Sequence, residues 1–113
     1  MRGDVVIVDL QNINPALKVR PALVIQSDEY NQLLNSTIIA QITGNTSRSF
    51  ERTQLLIDEK HPDWEQSGLE RASVVNAASL FTIQQVRIIN TIGSFSLQTM
   101  EEVDECLKAA LDL

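Results

Sequence analysis

Thr37-Ile38-Ile39-Ala40-Gln41-Ile42-Thr43, closed by Gly44-Asn45, is the stretch on which the fold turns. It is mostly β-branched, too short for a stable helix, and stops at a turn-forming pair, so it reads as a largely buried strand. Working outward, Pro21-Ala22-Leu23-Val24-Ile25-Gln26 reads as a strand before it, with the proline at its start, where a missing N–H costs least. Val5-Val6-Ile7-Val8-Asp9-Leu10 reads as the first strand, and Asn12, Asn14 and Pro15 mark the loop that follows. Ser27 or Asp28 is placed to cap one helical turn through Tyr30 and Leu33.

On the other side of the central strand, Thr53–Ile57 makes a fourth strand. Asp58–Glu70, with Pro62 and Gly68, reads as a loop. Ser73-Val74-Val75-Asn76-Ala77 resumes as strand, and Leu80-Phe81-Thr82-Ile83 continues it past a kink. The period changes at Ser96, a suitable N-cap. Leu97, Met100, Val103, Leu107, Ala110 and Leu111 then recur at helical spacing, with Asp104 and Lys108 a turn apart on the outer side. Several short strands followed by one amphipathic helix predict a mainly β chain, a small twisted sheet or partly closed barrel with the C-terminal helix packed against it.

The 113 residues suit one domain, residues 1–113, and a composition of 43% hydrophobic and 21% charged residues places the chain among folded globular proteins rather than disordered ones. No apolar run approaches the roughly 18 residues of a membrane span, and Met1-Arg2-Gly3-Asp4 does not open a signal peptide. Cys106 is the only cysteine, so no intrachain disulfide is possible and a cytoplasmic location is expected. A net charge of -6 argues against nucleic acid as a partner. Its distribution weakens that argument: Glu101, Glu102, Asp104 and Glu105 crowd onto the last helix. Leu10–Arg20 carries no acid, and Gln41–Phe50 carries Arg48 and no acid.

Most chemistries lack their residues. The four glycines are scattered, which leaves no phosphate-cradling loop, and one His with one Cys cannot make a zinc site, so neither a metal nor another cofactor is expected. Cys106 falls on a helix and His61 in a loop, where they read as a structural thiol and a solvated side chain rather than a nucleophile pair. The remaining candidates are Arg20, at the mouth of the second strand, and Thr43, at the end of the third. By residue type alone these are an ion-pairing arginine and a turn-satisfying threonine. Ser47, Arg48, Ser49 and Arg52 on the next loop suit phosphate contacts or a plain polar surface.

In order, these segments resemble the MazF/PemK toxins of type II toxin–antitoxin systems. Arg2–Leu10 is similar to their opening strand, Arg20–Asn31 to their Arg-Pro motif, and Ser36–Gly44 to their Ile-Thr motif. Ser73–Asn76, Thr91-Ile92-Gly93 and Met100–Glu105 complete the series. The resemblance spans nearly the whole chain. It implies an SH3-like small barrel with a C-terminal α-helix (MazF/PemK/CcdB-like) that works as a homodimer. It also implies a sequence-specific endoribonuclease that cuts single-stranded RNA without a metal, leaves a 2′,3′-cyclic phosphate and a 5′-hydroxyl, and is neutralised by a cognate antitoxin protein. On this resemblance Arg20 and Thr43 are the catalytic residues; Gln41, Asn45, Ser47, Arg48 and Arg52, on the end of that strand and the loop after it, are expected to hold the RNA.

The chain also departs from the family. Some relatives carry an arginine and an aspartate in a Gln-Ile-Arg-x-x-Asp-like segment where this chain has Phe81 and Gln84. The acidic charge and the missing arginine leave a second class open: a non-catalytic binding module on the same barrel, acting on a protein target as gyrase-poisoning toxins do, or sequestering antitoxin.

Overall fold

A computed structural model describes residues 1–113. The elements run β1 (Asp4–Asp9), β2 (Val19–Val24), α1 (Asp28–Leu33), β3 (Ser36–Thr43), β4 (Gln54–Ile57), α2 (Trp64–Ser67), β5 (Ser73–Gln84), a single 3₁₀ turn (Gln85–Arg87), β6 (Ile88–Ser94) and α3 (Leu97–Leu111). The strands form one antiparallel sheet of six in the order β4-β5-β3-β2-β1-β6. The mainly β architecture with a C-terminal helix is the one expected.

Period-2 alternation sorts the central strands into two buried faces. Val5, Leu23, Ala40, Ile42, Ile57 and Val75 point to one side, where Phe95, Met100 and Val103 bring α3 onto the sheet. Val6, Val8, Leu10, Ala22, Val24, Ile39 and Ile83 point to the other, with Leu17, Phe81 and Ile88 packed around them. Apolar burial on both sides explains why β1 and β3 read as near-continuous hydrophobic runs rather than as clean alternation.

The pairing of β3 with β5 breaks between Ala40 and Gln41. Ala40 faces Leu80 but Gln41 faces Asn76, so Ala77-Ala78-Ser79 are extra residues on β5. This bulge is the kink expected after Ala77, and it lets one strand of 12 residues curl around the core.

The sheet ends are β4 and β6, which do not pair. Helix α2 bridges the gap by lying on β6. A Cβ at Gly93 would collide with the backbone carbonyls of Gln66 and Ser67, and one at Gly68 (φ +72°) would collide with the carbonyl of Ile92. The helix thus ends on a left-handed glycine pressed against a strand glycine. The expected loop at Asp58–Glu70 therefore contains a structured turn of helix, and β6 is a strand for which the sequence offered no apolar alternation.

Other corrections concern charge pairs. Arg2 donates from its backbone N–H to Asp28 at 2.7 Å, from Nε to the Ile25 carbonyl at 2.8 Å and from Nη2 to Asp104 at 2.5 Å. It thus pins the N-terminus to α1 and α3, and the bond from its N–H holds the Asp28 carboxyl below the usual carboxylate range. Asp104 is spent on Arg2, so Lys108 pairs with Glu105 instead, at 3.4 Å. His61 is not solvated: its side chain is 10% exposed, its Nδ1 accepts from the Asp63 N–H, and its buried Nε2 faces Glu102 at 3.5 Å. Val74 is fully buried within the chain, whereas Leu97 at the start of α3 is 86% exposed.

Ser96 caps α3 as expected, its Oγ accepting from the Thr99 N–H, and the Ser96 N–H in turn donates to the buried Asp63 at 2.7 Å. Burial pushes the Asp63 carboxyl up. Hydrogen bonds from Thr99 and Ser96, with a smaller contribution from His61, outweigh it and hold the group below its ordinary 3.8.

Two outcomes are expected. Gly93→Ala should lower the urea midpoint by the equivalent of about 2 kcal/mol or more, because overpacking against backbone has no rotamer to relieve it. Asp63→Ala should cost about 1–3 kcal/mol, and the cost should depend on pH. The folded pKa is lowered, so the ionised carboxylate stabilises fully above its ordinary 3.8, and the contribution is lost as pH falls through the folded value. Urea titrations of both proteins at neutral pH and below pH 4 measure this, and the gap between them should narrow in acid.

Candidate RNA-cleavage site

On the sheet face away from α3, the apolar cluster gives way to polar side chains at the end where β3 stops. Ile39 belongs to the cluster, and the next two residues on that face are Gln41 and Thr43. On β5 the corresponding residue is Asn76, paired with Gln41 on one side and with Gln54 of β4 on the other. Together with Asn45 and Arg48 from the following turn, these residues line an open cleft of about 250 Å³ that contains no apolar side chain and no carboxylate. Four of the expected residues, Gln41, Thr43, Asn45 and Arg48, are thus brought together by the fold.

Thr43 closes β3, and its Oγ1 accepts from the Asn45 N–H at 3.2 Å, which leaves its hydroxyl hydrogen available to donate. Asn45 is held by Ser47, whose N–H and hydroxyl both donate to Asn45 Oδ1 at 3.1 and 2.7 Å. Ser47 is therefore occupied in shaping the turn. Arg48 forms a surface ion pair with Glu51 at 2.7 Å, with its side chain 69% exposed. Such a pair is worth well under about 1 kcal/mol, so a phosphate can displace Glu51.

Arg20 lies within β2, one residue beyond its start at Val19, and not at the strand mouth. The β2–β3 ladder pairs Val24 with Ile39 and Ala22 with Gln41 and ends there. By strand alternation Arg20 lies on the same sheet face as Ala22, two residues beyond the last pair, and it is not among the residues that line the cleft. Its Nε donates to the Leu17 carbonyl at 2.8 Å, and no carboxylate lies within ion-pair distance of its guanidinium. The segment that supplies this carbonyl contains Lys18 at φ 53°, a left-handed residue without glycine's freedom, which costs on the order of 1 kcal/mol. Arg52 lies elsewhere, lining a separate cleft with Glu105, Lys108, Ala109, Asp112 and Leu113 at the C-terminal end of α3.

Three further residues stand here that the sequence did not mark as site candidates. Gln54 and Asn76 became visible only through strand register. Arg71 is the third: its guanidinium lies against Gly44, where a Cβ would come within 2.9 Å of it, and it too has no acidic partner. Because Val74 pairs with Thr43, a residue just ahead of β5 must fall beside the turn that follows Thr43. Arg20 and Arg71 thus supply unneutralised positive charge at this end of the sheet, while the α3 acids Glu101, Glu102 and Glu105 belong to the helix packed on the other face.

The Cys–His pair is closed as a nucleophile. Burial pushes the Cys106 thiol up, Glu102 and Glu105 push it the same way, and no hydrogen bond joins it to His61. No three His, Cys, Asp or Glu side chains stand close enough together to hold a metal ion.

An acid-free, donor-lined cleft at one end of a small barrel-like sheet, flanked by unpaired arginines, defines a protein built to hold a polyanion. Residues 1–111 match the family described as PemK-like, MazF-like toxin of type II toxin–antitoxin system, and the chain belongs to this family. Endoribonuclease EndoA of Bacillus subtilis is 34% identical over 114 residues, covering 99% of this chain and 94% of the relative. Two solved structures share the fold. Mycobacterium tuberculosis toxin MazF-mt6 has a TM-score of 0.78 at 24% identity, covering 97% of each chain. A mycobacterial endoribonuclease in complex with its cognate antitoxin has a TM-score of 0.78 at 21% identity, covering 100% of this chain and 95% of that one.

One outcome concerns the cleft itself. Gln54 Oε1 is buried and accepts no hydrogen bond, an omission that costs about 1–3 kcal/mol. Gln54→Leu should therefore raise stability by roughly 1 kcal/mol, read as a higher urea midpoint at unchanged m-value.

Proposed function

We propose that this protein is a metal-independent endoribonuclease of the MazF/PemK kind, cutting single-stranded RNA at Arg20 and Thr43. One observation carries the reading: Thr43, with a hydroxyl hydrogen free to donate, lies in an acid-free cleft where β3 ends, and Arg20, without an acidic partner, lies on the neighbouring strand β2 just past the last residue paired with β3. The similarity to an endoribonuclease along nearly the full chain supports it.

The chemistry needs little equipment. The ribose 2′-oxygen attacks the adjacent phosphorus, the bond from phosphorus to the 5′-oxygen breaks, and the products are a 2′,3′-cyclic phosphate and a 5′-hydroxyl. Negative charge builds on the non-bridging oxygens. Arg20, anchored through Nε on the Leu17 carbonyl, offers its two terminal nitrogens to them. The Thr43 hydroxyl donates to the same phosphate. Arg48, exchanging Glu51 for RNA, and Arg71, beside Gly44, hold the neighbouring phosphates. Gln41 and Asn45 face the bases, and Ser47 acts through Asn45. Arg52 serves a more distant stretch of RNA, since it lies by the end of α3.

Residues 1–113 act as one domain, the working form is a homodimer, and the partner that silences it is an antitoxin protein, as in the mycobacterial complex. No helix is long and apolar enough to cross a membrane, and the site of action is the cytoplasm, where the RNA is.

Purified protein incubated with single-stranded RNA in excess chelator should cut it, leaving 5′-hydroxyl ends. Arg20→Ala and Thr43→Ala should each reduce the rate by about 100-fold or more, the scale of losing one transition-state donor. Undiminished cutting by Arg20→Ala removes it from the site. Absence of cutting on any RNA by the unaltered protein favours a non-catalytic binding module instead.

A further inference from the structure

The bonds already made by the side chains of the cleft determine which of their atoms remain for a ligand. Asn76 Oδ1 accepts from the Ala78 N–H at 3.0 Å, Asn45 Oδ1 accepts from the Ser47 N–H at 3.1 Å, and Gln41 Oε1 accepts from the Ser79 hydroxyl at 2.8 Å. A backbone N–H only donates, so neither the Asn45 nor the Asn76 amide can be reversed without losing its bond. Each of the three keeps its oxygen on the protein and leaves its NH₂ group unpartnered. Gln54 differs: its Oε1 is buried with no donor at all. The row Gln54, Asn76, Gln41, set by register across β4, β5 and β3, therefore offers free donors next to one unsatisfied acceptor.

We propose that this row grips one unstacked nucleobase by a lactam edge, a carbonyl next to a ring N–H, and so determines which RNA sequence is cut. Gln41 and Asn76 donate to the carbonyl, and Gln54 Oε1 accepts from the N–H. Uracil and guanine carry such an edge. Adenine has no carbonyl, and the ring nitrogen beside the cytosine carbonyl carries no hydrogen. Reading of splayed-out bases along this edge is the general mode of sequence recognition in single-stranded RNA. The terminal torsion of a glutamine is broad, so the Gln54 carboxamide can turn its oxygen outward to the base, its NH₂ group taking the inner position. The orphaned oxygen, a defect in the unliganded protein, is then satisfied when the base arrives. The inference rests on the reading of the protein as a ribonuclease and assigns Gln54 and Asn76 a role beyond the cleavage pair.

The test uses the full chain and separates the two claims. Sites cut in a mixed-sequence single-stranded RNA are mapped from the 5′-hydroxyl ends, and they should share uracil or guanine at one fixed position near the break. Four oligonucleotides with U, G, C or A there, each carrying a 2′-deoxy sugar at the scissile position, are then compared by fluorescence anisotropy. The preferred lactam base should bind about tenfold tighter or more than adenine and cytosine, the scale of one well-made base contact, and the U and G arms identify which it is. Asn76→Asp keeps an oxygen for the Ala78 N–H but turns an acceptor toward the base, so the order should shift toward adenine or cytosine. Gln54→Leu, which removes the acceptor for the ring N–H, should collapse the base preference in the anisotropy comparison. Cutting with adenine or cytosine at the fixed position, or a preference unmoved in both variants, overturns the base assignment and leaves the ribonuclease standing. No RNA cut or bound overturns both.

Discussion

The shift in pairing between Ala40 and Gln41 is the constraint on which both the fold and the site depend. Without the extra residues Ala77-Ala78-Ser79, β5 would run straight along β3 and could not both cover the second apolar cluster with Ile83 and reach β4 with Val74 and Val75. The bulge also frees donors that an unbroken ladder would have used. The Ala78 N–H and the Ser79 hydroxyl take up the carbonyl oxygens of Asn76 and Gln41, and the Ala77 N–H reaches back to the Thr53 carbonyl ahead of β4. Bulges recur beside functional sites because they re-aim side chains, and here the re-aiming orients a row of amides.

The sheet divides its labour by face. The α3 side carries a dry core and the acidic helix, with Arg2 and Asp63 tying the helix ends to the rest of the chain. The opposite side is apolar as far as Ala22 and Ile39, then turns polar at Gln41, Thr43, Asn76 and Gln54. A net charge of -6 and a polyanionic substrate are compatible because the α3 acids lie on the helix packed against one face of the sheet, whereas Gln41, Thr43, Asn76 and the cleft they line lie on the other. Salt screens what passes between them through solvent within about 8–10 Å. Where some relatives carry a second arginine this chain has Phe81, which packs against the apolar cluster, and Arg71 lies apart from it, beside Gly44.

Arg20 and Thr43, the proposed cleavage pair, stand on adjacent strands of the sheet. Residue type alone made them ordinary. The motif order singled them out, and the pairing of β2 with β3 puts the strands that carry them side by side. The closure at Gly68 and Gly93 shows the opposite case: Thr91-Ile92-Gly93 belonged to the motif series, yet only the contact with α2 explains why that position tolerates no side chain.

The sequence by itself determined the local elements whose causes are local. The β-branched runs of β1 to β5, the Ser27 and Ser96 caps and the apolar stripe of α3 all carry their signal within a few residues. Only the tertiary structure decided what depends on contacts between distant residues. Strand β6 holds exposed polar residues and pairs with β1 through irregular register, so it has no period to read. The short α2 exists because β6 supports it. Asp104 chose Arg2 over Lys108, and His61 was drawn out of solvent by Asp63. The row of Gln41, Asn76 and Gln54 comes from three strands, and no spacing along one chain announces a neighbourhood made by hydrogen-bonded ladders and a bulge. That row is also where Gln54 is left with an acceptor and no donor, a vacancy that exists only once the strands are assembled.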